Sequence, residues 1–296
     1  MTTANGQRGG RALVLGGGGL LGVSWETGVL AGLQQGGVDP AAADLIAGTS
    51  AGSITGAQLA SGKTVEEMLE ENLAERPDGI ETKMDFDVPN LMAIFQKWAA
   101  LPAVTQQACA EIGAMAINSR TTSEAEWVSS FQALLPASWP ERRLLITTVD
   151  AATGEFRTWD RASGVNLPLA VASSCAVPGL FPTVSINGQR YMDGGVRSGT
   201  NADLASGYRN VLIIAPIGSR PDGIDPLLAR QAKAEAEALR AAGAQVELLF
   251  PDAATMQAMG INRMDASRRE QTANEGIRQG NLLAKKLRAE WAKAAA

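Results

Sequence analysis

Apolar residues fall into two kinds of run along this chain. The first kind is short and continuous: "RALVLG" (11–16), "ADLIAG" (43–48) and "RRLLITTVD" (142–150) have strand length and are bounded by glycine or charge. Such runs mark strands buried on both faces of a parallel sheet. The second kind has helical spacing. Leu21, Trp25, Val29 and Leu33 recur every fourth position, predicting a helix over 20–35 that Gly36-Gly37 closes. A second helix is predicted from the turn at Ser50 to about Ser61. Strand, turn and helix twice over predict an α/β fold: a three-layer α/β/α sandwich around a mainly parallel sheet.

Residues 63–140 change character. They are Gly-poor and rich in Met, Ala, Glu and Trp, with helical periods at 64–75, 90–100, 104–117 and 122–135. We read them as a helical insertion or lid within the same domain. Further on, Thr153-Gly154 predicts a hairpin turn, and 166–182 a short helix ended by Pro178-Gly179. Asn187-Gly188 predicts a hairpin across 183–192 that delivers the chain into Asp193-Gly194-Gly195. A strand (211–215), a helix (226–242), a strand (246–250) and a C-terminal helix within 271–296 complete the pattern. The polar, Gly-rich residues 1–10 predict a flexible N-terminus, leaving 11–296 as one domain.

Composition removes several classes of function. With 45% hydrophobic and 19% charged residues the chain is an ordinary globular one. A net charge of −5 offers no general attraction for nucleic acid or an anionic membrane. There is no histidine, and the two cysteines, Cys109 and Cys175, lie far apart. Neither a metal site nor a disulfide is expected, and no metal or other cofactor is called for. With no apolar leader after the first positive charge and no run of about 18 apolar residues, a cytoplasmic protein without a transmembrane segment is expected.

"GGGGLLG" (16–22) contains G-x-G-x-x-G as Gly17, Gly19 and Gly22, after a predicted strand and before a predicted helix. Two chemistries fit: a dinucleotide pyrophosphate on backbone N–H groups, or the oxyanion of an acyl-transfer intermediate. A dinucleotide fold places an acid at the far end of its second strand. Here that strand ends in Gly48-Thr49-Ser50, while Asp39 and Asp44 stand before it. The oxyanion reading gains, and a dinucleotide-binding oxidoreductase is kept as the alternative.

"GTSAG" (48–52) has the G-x-S-x-G spacing of a nucleophile elbow: Gly48, Thr49, Ser50, Ala51 and Gly52. Alone it is a weak signal in a chain with 32 glycines. A serine hydroxyl needs a positioned base, and this chain has no histidine to supply one. Lys63 lies a full helix away. A desolvated carboxylate within hydrogen-bond reach could act directly. Asp193, at the end of a hairpin strand beside Gly194 and Gly195, is the best candidate; Asp150 and Asp160 carry less local specialisation.

Taken in order, "GGGGLLGVSWETGVLAGL", "GTSAG", "ASSCAVPGLFP" and "YMDGGV" resemble the patatin-like phospholipase family over roughly residues 11–215. The resemblance implies a lipid acyl hydrolase. Its Ser-Asp dyad would be Ser50 as nucleophile and Asp193 as general base. Backbone N–H groups of Gly17, Gly18 and Gly19 would be the oxyanion donors. Two departures stand out. Leu21 occupies a place usually held by Lys or Arg, which leaves open a catalytically silent lipid-binding relative. The Asn-x-Pro usual after Asp-Gly-Gly is replaced by "VRSGTNADLA", with Asn201 the candidate to take over the asparagine's role.

The expected partner is a lipid or acyl-ester substrate. Met68, Leu91, Met92, Ile94, Phe95, Trp98 and Met115 serve core faces first and an acyl channel second. Leu283, Leu287 and Trp291, beside Lys285, Lys286 and Arg288, serve packing first and peripheral membrane contact second.

Overall fold

In the computed structural model, which describes residues 8–74, 87–101, 103–218 and 226–293, eight strands form one mixed sheet. The first strand–helix pairs are β1 (Arg8–Leu15), α1 (Gly19–Gln35), β2 (Leu45–Gly48) and α2 (Ala51–Ala60). Four helices follow: α3 (Val65–Leu73), α4 (Val88–Ala99), α5 (Gln106–Ile117) and α6 (Glu124–Leu134). Then come β3 (Leu144–Asp150), β4 (Phe156–Trp159), α7 (Leu167–Ser174), β5 (Val184–Ile186), β6 (Gln189–Asp193) and β7 (Tyr208–Ile214). The chain continues through α8 (Leu227–Ala241), β8 (Gln245–Leu249), α9 (Ala253–Met259) and α10 (Arg269–Lys293).

Side-chain alternation on β1 sets the layers. Leu13 and Leu15 enter one core with Trp25, Ile46 and Leu212; Ala12 and Val14 enter a second with Ala47, Val211, Ile213 and Leu239. Because strands buried on both faces need cover on both sides, the sheet sits between helices, as the continuous apolar runs predicted. Helices α4 and α5 form a third cluster, in which Ile94, Cys109 and Ile112 meet Val149 and Met192.

The register around β3 positions the site. Strands β1, β2, β3, β7 and β8 are parallel, while β4, β5 and β6 are antiparallel. Ile146 pairs with Gly48 of β2 and Trp159 of β4; Thr148 pairs with Asp193 of β6 and Arg157 of β4. A strand residue has one partner per side, so β2 and β6 share the side of β3 opposite β4. They approach from opposite directions. The carboxyl end of β2 therefore meets that of β6 head-on.

Several boundaries differ from the sequence reading. β1 begins at Arg8, inside the segment expected to be flexible, with a register shift between Arg8 and Arg11. α7 stops at Ser174, short of Pro178-Gly179, because the chain turns there to reach the elbow. α9, capped by the Asp252 carboxylate accepting from the Thr255 N–H, was not anticipated. The end of the 64–75 period and the Asp78-Gly79 pair that follows it lie outside the described residues. The Asn187-Gly188 turn has φ of 52° and 80°, as a two-residue hairpin of that type requires.

Helix α10 packs along α1 rather than presenting its apolar face to a membrane. Leu283, Leu287 and Trp291 are 6%, 3% and 4% exposed. The Trp25 indole N–H donates to the Gln279 amide oxygen at 2.9 Å across the helix pair.

Candidate active site

The turn after β2 carries Ser50 at φ 52° and ψ −119°, a left-handed conformation costly for a non-glycine residue. Hydrogen bonds on both sides of the residue hold it, among them that of the Ser53 N–H to the Ser50 carbonyl at 2.8 Å. The Ser50 N–H donates to Ser174 Oγ at 3.0 Å, while Ser53 Oγ and Cys175 Sγ donate to the Ser50 carbonyl at 2.6 and 3.2 Å. The flanking glycines are needed for space. A Cβ on Gly52 would lie 2.1 Å from the Leu15 carbonyl oxygen, and one on Gly48 would lie 2.5 Å from that of Gly52. The elbow spacing thus comes from how tightly α2 rises off the sheet.

The glycine loop lies directly above. A Cβ on Gly17 would come within 3.3 Å of Ser50 Cβ. The Gly52 N–H donates to the Gly16 carbonyl at 3.0 Å, stitching loop to elbow. Not every loop N–H is free. Gly17 donates to the Gly199 carbonyl at 2.8 Å and Gly22 to the Gly18 carbonyl at 3.0 Å. Among the described residues, the N–H groups of Gly18 and Gly19 have no such partner, which narrows the three expected donors to two.

Asp193 is 5% exposed and Ser50 is 7% exposed, and their side chains interact directly. The Gly195 N–H donates to Asp193 Oδ1 at 2.7 Å. Burial pushes the Asp193 carboxyl up to about 7; the Ser50 hydroxyl and the Gly195 N–H pull against that rise without cancelling it. The other acids considered are structural. Asp150 accepts from the Ala152 and Thr153 N–H groups at 2.9 Å each, and Asp160 from that of Ala162 at 3.0 Å.

Sequence reasoning missed several contributors. Glu26 is fully buried, its carboxyl raised well above the usual range by desolvation, and its Oε2 accepts from Thr55 Oγ1 at 2.9 Å. Cys175 is free, buried and pushed up by burial and the adjacent Asp193 charge. Asn201, by contrast, is the residue that the sequence reading named in place of the usual asparagine; it stands at φ 49°, a conformation asparagine tolerates. Its Nδ2 donates to Thr49 Oγ1 at 3.0 Å, Gly194 O at 3.3 Å and Ser198 O at 2.8 Å. The small-residue run "ASSCA" was the visible trace of the Ser174–Cys175 support.

Ser50, Asp193 and the glycine loop open into a cavity of about 1050 Å³ with mostly apolar walls. Met68, Leu91, Met92, Phe95 and Trp98 line it, as the channel reading expected, together with Trp127, Phe131 and Phe181. Trp127 stacks on Phe181 with ring centroids 4.0 Å apart. Ile94 and Met115 belong to the third cluster instead. Met92 and Phe95 are 51% and 38% exposed, so this wall reaches the protein surface. Arg263 and Arg269 also line the cavity. Among the described residues no cluster of three or more His, Cys, Asp or Glu could hold a metal, and no helix is long and apolar enough to cross a membrane.

Fold and site together define the class: an α/β sandwich with a strained serine elbow facing a glycine-rich loop at the carboxyl edge of the sheet. The chain belongs to the patatin-like phospholipase family, whose family model matches residues 13–206. That places it among lipid hydrolases. Among solved structures it is similar to VipD from Legionella pneumophila, at 13% identity and a TM-score of 0.47, covering 97% of this chain and 69% of that one. It is also similar to the type III effector protein ExoU, at 17% identity and a TM-score of 0.36, covering 92% and 53% respectively. No curated protein matches the chain.

Proposed function

We propose that this protein hydrolyses carboxylic ester bonds of lipids, with Ser50 as nucleophile and Asp193 as its general base. The observation that carries the reading is the direct contact of Ser50 with a buried carboxylate raised to about 7, at the floor of an apolar cavity. A base poised near the working pH both takes a proton and returns it efficiently. Asp193 accepts the Ser50 proton as Ser50 Oγ attacks the ester carbonyl. The Gly18 and Gly19 N–H groups, with that of Ala51 at the start of α2, stabilise the oxyanion. Collapse of the tetrahedral intermediate breaks the ester bond, and Asp193 gives its proton to the departing alcohol. Water, deprotonated by Asp193, then attacks the acyl-enzyme; the bond from the acyl carbon to Ser50 Oγ breaks, Asp193 returns the proton to Ser50 Oγ, and the carboxylic acid leaves.

The second reading, a dinucleotide-binding oxidoreductase, is not favoured by any observation at the loop: β2 ends in Gly48, and Ser50 occupies the space below the glycines. The silent lipid-binding relative shares the cavity and differs only in turnover.

A fluorophosphonate probe tests the assignment. Wild type is expected to label at Ser50, and Ser50→Ala to lose both labelling and ester hydrolysis. Labelling that persists in Ser50→Ala would remove the nucleophile assignment; no labelling of folded wild type would favour the silent relative.

The cavity walls predict chain-length dependence. Each methylene buried contributes about 0.8 kcal/mol, so kcat/KM for p-nitrophenyl esters is expected to rise from acetate to decanoate by at least about a hundredfold. A profile that peaks at acetate would contradict a lipid substrate while leaving the dyad untouched.

A further inference from the structure

On the far side of the sheet from the serine helix, one carboxylate holds a loop that the proposed chemistry depends on without touching it. Glu235 of α8 accepts three hydrogen bonds from a single short segment. Ser198 Oγ donates at 2.6 Å, Thr200 Oγ1 at 2.6 Å and the Ala202 N–H at 2.8 Å. One turn earlier on α8, the Gln231 amide donates to the Arg197 carbonyl at 3.1 Å. With donors from one segment on both of its oxygens, this side chain ties the loop to α8 at three points. Ser198, Thr200 and Asn201 are buried, and none carries an apolar anchor.

The loop in turn reaches every part of the site. Gly199 takes the Gly17 N–H, which seats the glycine loop over Ser50. Asn201 Nδ2 binds Thr49 next to the nucleophile and the Gly194 carbonyl next to the base. The Arg197 guanidinium donates to Asn201 Oδ1 at 2.8 Å, which orients that amide so its N–H groups point inward. Arg197 is itself held by Asp203 at 2.8 Å. Elbow, base turn and oxyanion loop come from three distant parts of the chain, and the 197–202 loop bonds to all three.

We infer that Glu235 is a positioning residue for this active site, acting through the 197–202 loop on the placement of the glycine loop relative to Ser50 and Asp193. The inference rests on the dyad reading above. Glu235 does not line the cavity, so its removal takes no side chain from the cavity wall. It takes the acceptor from two buried hydroxyls and one N–H, and the loop must shift to satisfy them. A displacement of about 1 Å in an oxyanion donor costs up to roughly a hundredfold in rate.

The test uses the full chain with a soluble p-nitrophenyl ester, comparing Glu235→Ala, Glu235→Gln and the double variant Ser198→Ala/Thr200→Val. Glu235→Ala is expected to lower kcat by about 10- to 100-fold with KM changed less than about threefold. The apparent pKa near 7 is expected to stay put, because Asp193 keeps its burial and its Gly195 partner. Glu235→Gln should retain most activity: its carbonyl can accept from Thr200 and Ala202 while its amide donates to the Ser198 hydroxyl. The double variant should reproduce the loss, and adding Glu235→Ala to it should cost little more.

Unchanged kcat in folded Glu235→Ala, or losses that merely follow each variant's melting temperature, would overturn the inference. If Glu235→Ala does not fold, the double variant decides alone: full kcat there overturns it. Full turnover in Ser50→Ala would instead remove the dyad reading. An inactive Ser50→Ala beside a fully active Glu235→Ala would remove only the positioning role.

Discussion

Asp193→Asn is expected to lower kcat/KM by about a thousandfold or more and to erase its dependence on pH near 7. The amide can still accept from the Gly195 N–H, so the turn survives, but it cannot take the serine proton. General-base assistance contributes roughly 10²- to 10⁴-fold. In wild type the base works only when ionised, so kcat/KM should climb with pH through about 7 and then level off. Stability should move the opposite way. Asp193 has a folded pKa above its ordinary 3.8, so between about 4 and 7 the folded state keeps a proton that the unfolded chain has released. Stability is therefore lost as pH rises through that window. At about 1.4 kcal/mol per unit, the full cost above pH 7 is of the order of 4 kcal/mol. Asp193→Asn should thus be more stable than wild type at pH 8 and nearly equal to it at pH 4. Urea melts at the two pH values, beside a rate–pH profile, check both halves. A wild-type rate that is flat from pH 5 to 9 would reassign the base.

Replacing Gly280 by leucine should cost a large share of the protein's stability without going near the chemistry. Helices α1 and α10 touch backbone to backbone. A Cβ on Gly280 would lie 2.3 Å from the Val29 carbonyl oxygen, and one on Gly32 would lie 2.2 Å from that of Ile277. A Cβ on Gly276 would lie 2.4 Å from the Trp25 carbonyl oxygen. No side-chain rotation relieves a clash with a helix backbone, so the helices must separate. That opens the core around Trp25, Leu283 and Leu287. Overpacking typically costs about 1–3 kcal/mol and occasionally more, and a clash with helix backbone belongs at the upper end of that range, against a total of roughly 5–15. Gly280→Leu is expected to unfold at a much lower urea midpoint, or to accumulate in inclusion bodies. Leu282→Ala, at a position 55% exposed on the same helix, should melt like wild type. Matching midpoints for the two variants would contradict the close packing. The spacing of Gly28, Gly32 and Gly36 against Gly276 and Gly280 was visible in the chain, yet nothing along it says that the two stretches meet.

That example marks the division between chain and fold. Local chemistry was legible from residues alone. Continuous apolar runs imply buried parallel strands, and Asn-Gly implies a tight hairpin. The absence of histidine leaves a carboxylate as the natural partner for Ser50. Each depends on neighbours a few positions apart, which the sequence states directly. The tertiary structure decided what depends on distant segments. It brought β2 and β6 end to end on one side of β3, so that Ser50 and Asp193 meet. It spent the Gly17 N–H on Gly199, leaving Gly18 and Gly19 open. It turned the apolar face of α10 inward and hung the 197–202 loop on Glu235. Periodicity encodes which face of an element is apolar, but which partner covers that face is settled only when the whole chain is packed and every buried polar group has found an acceptor or a donor.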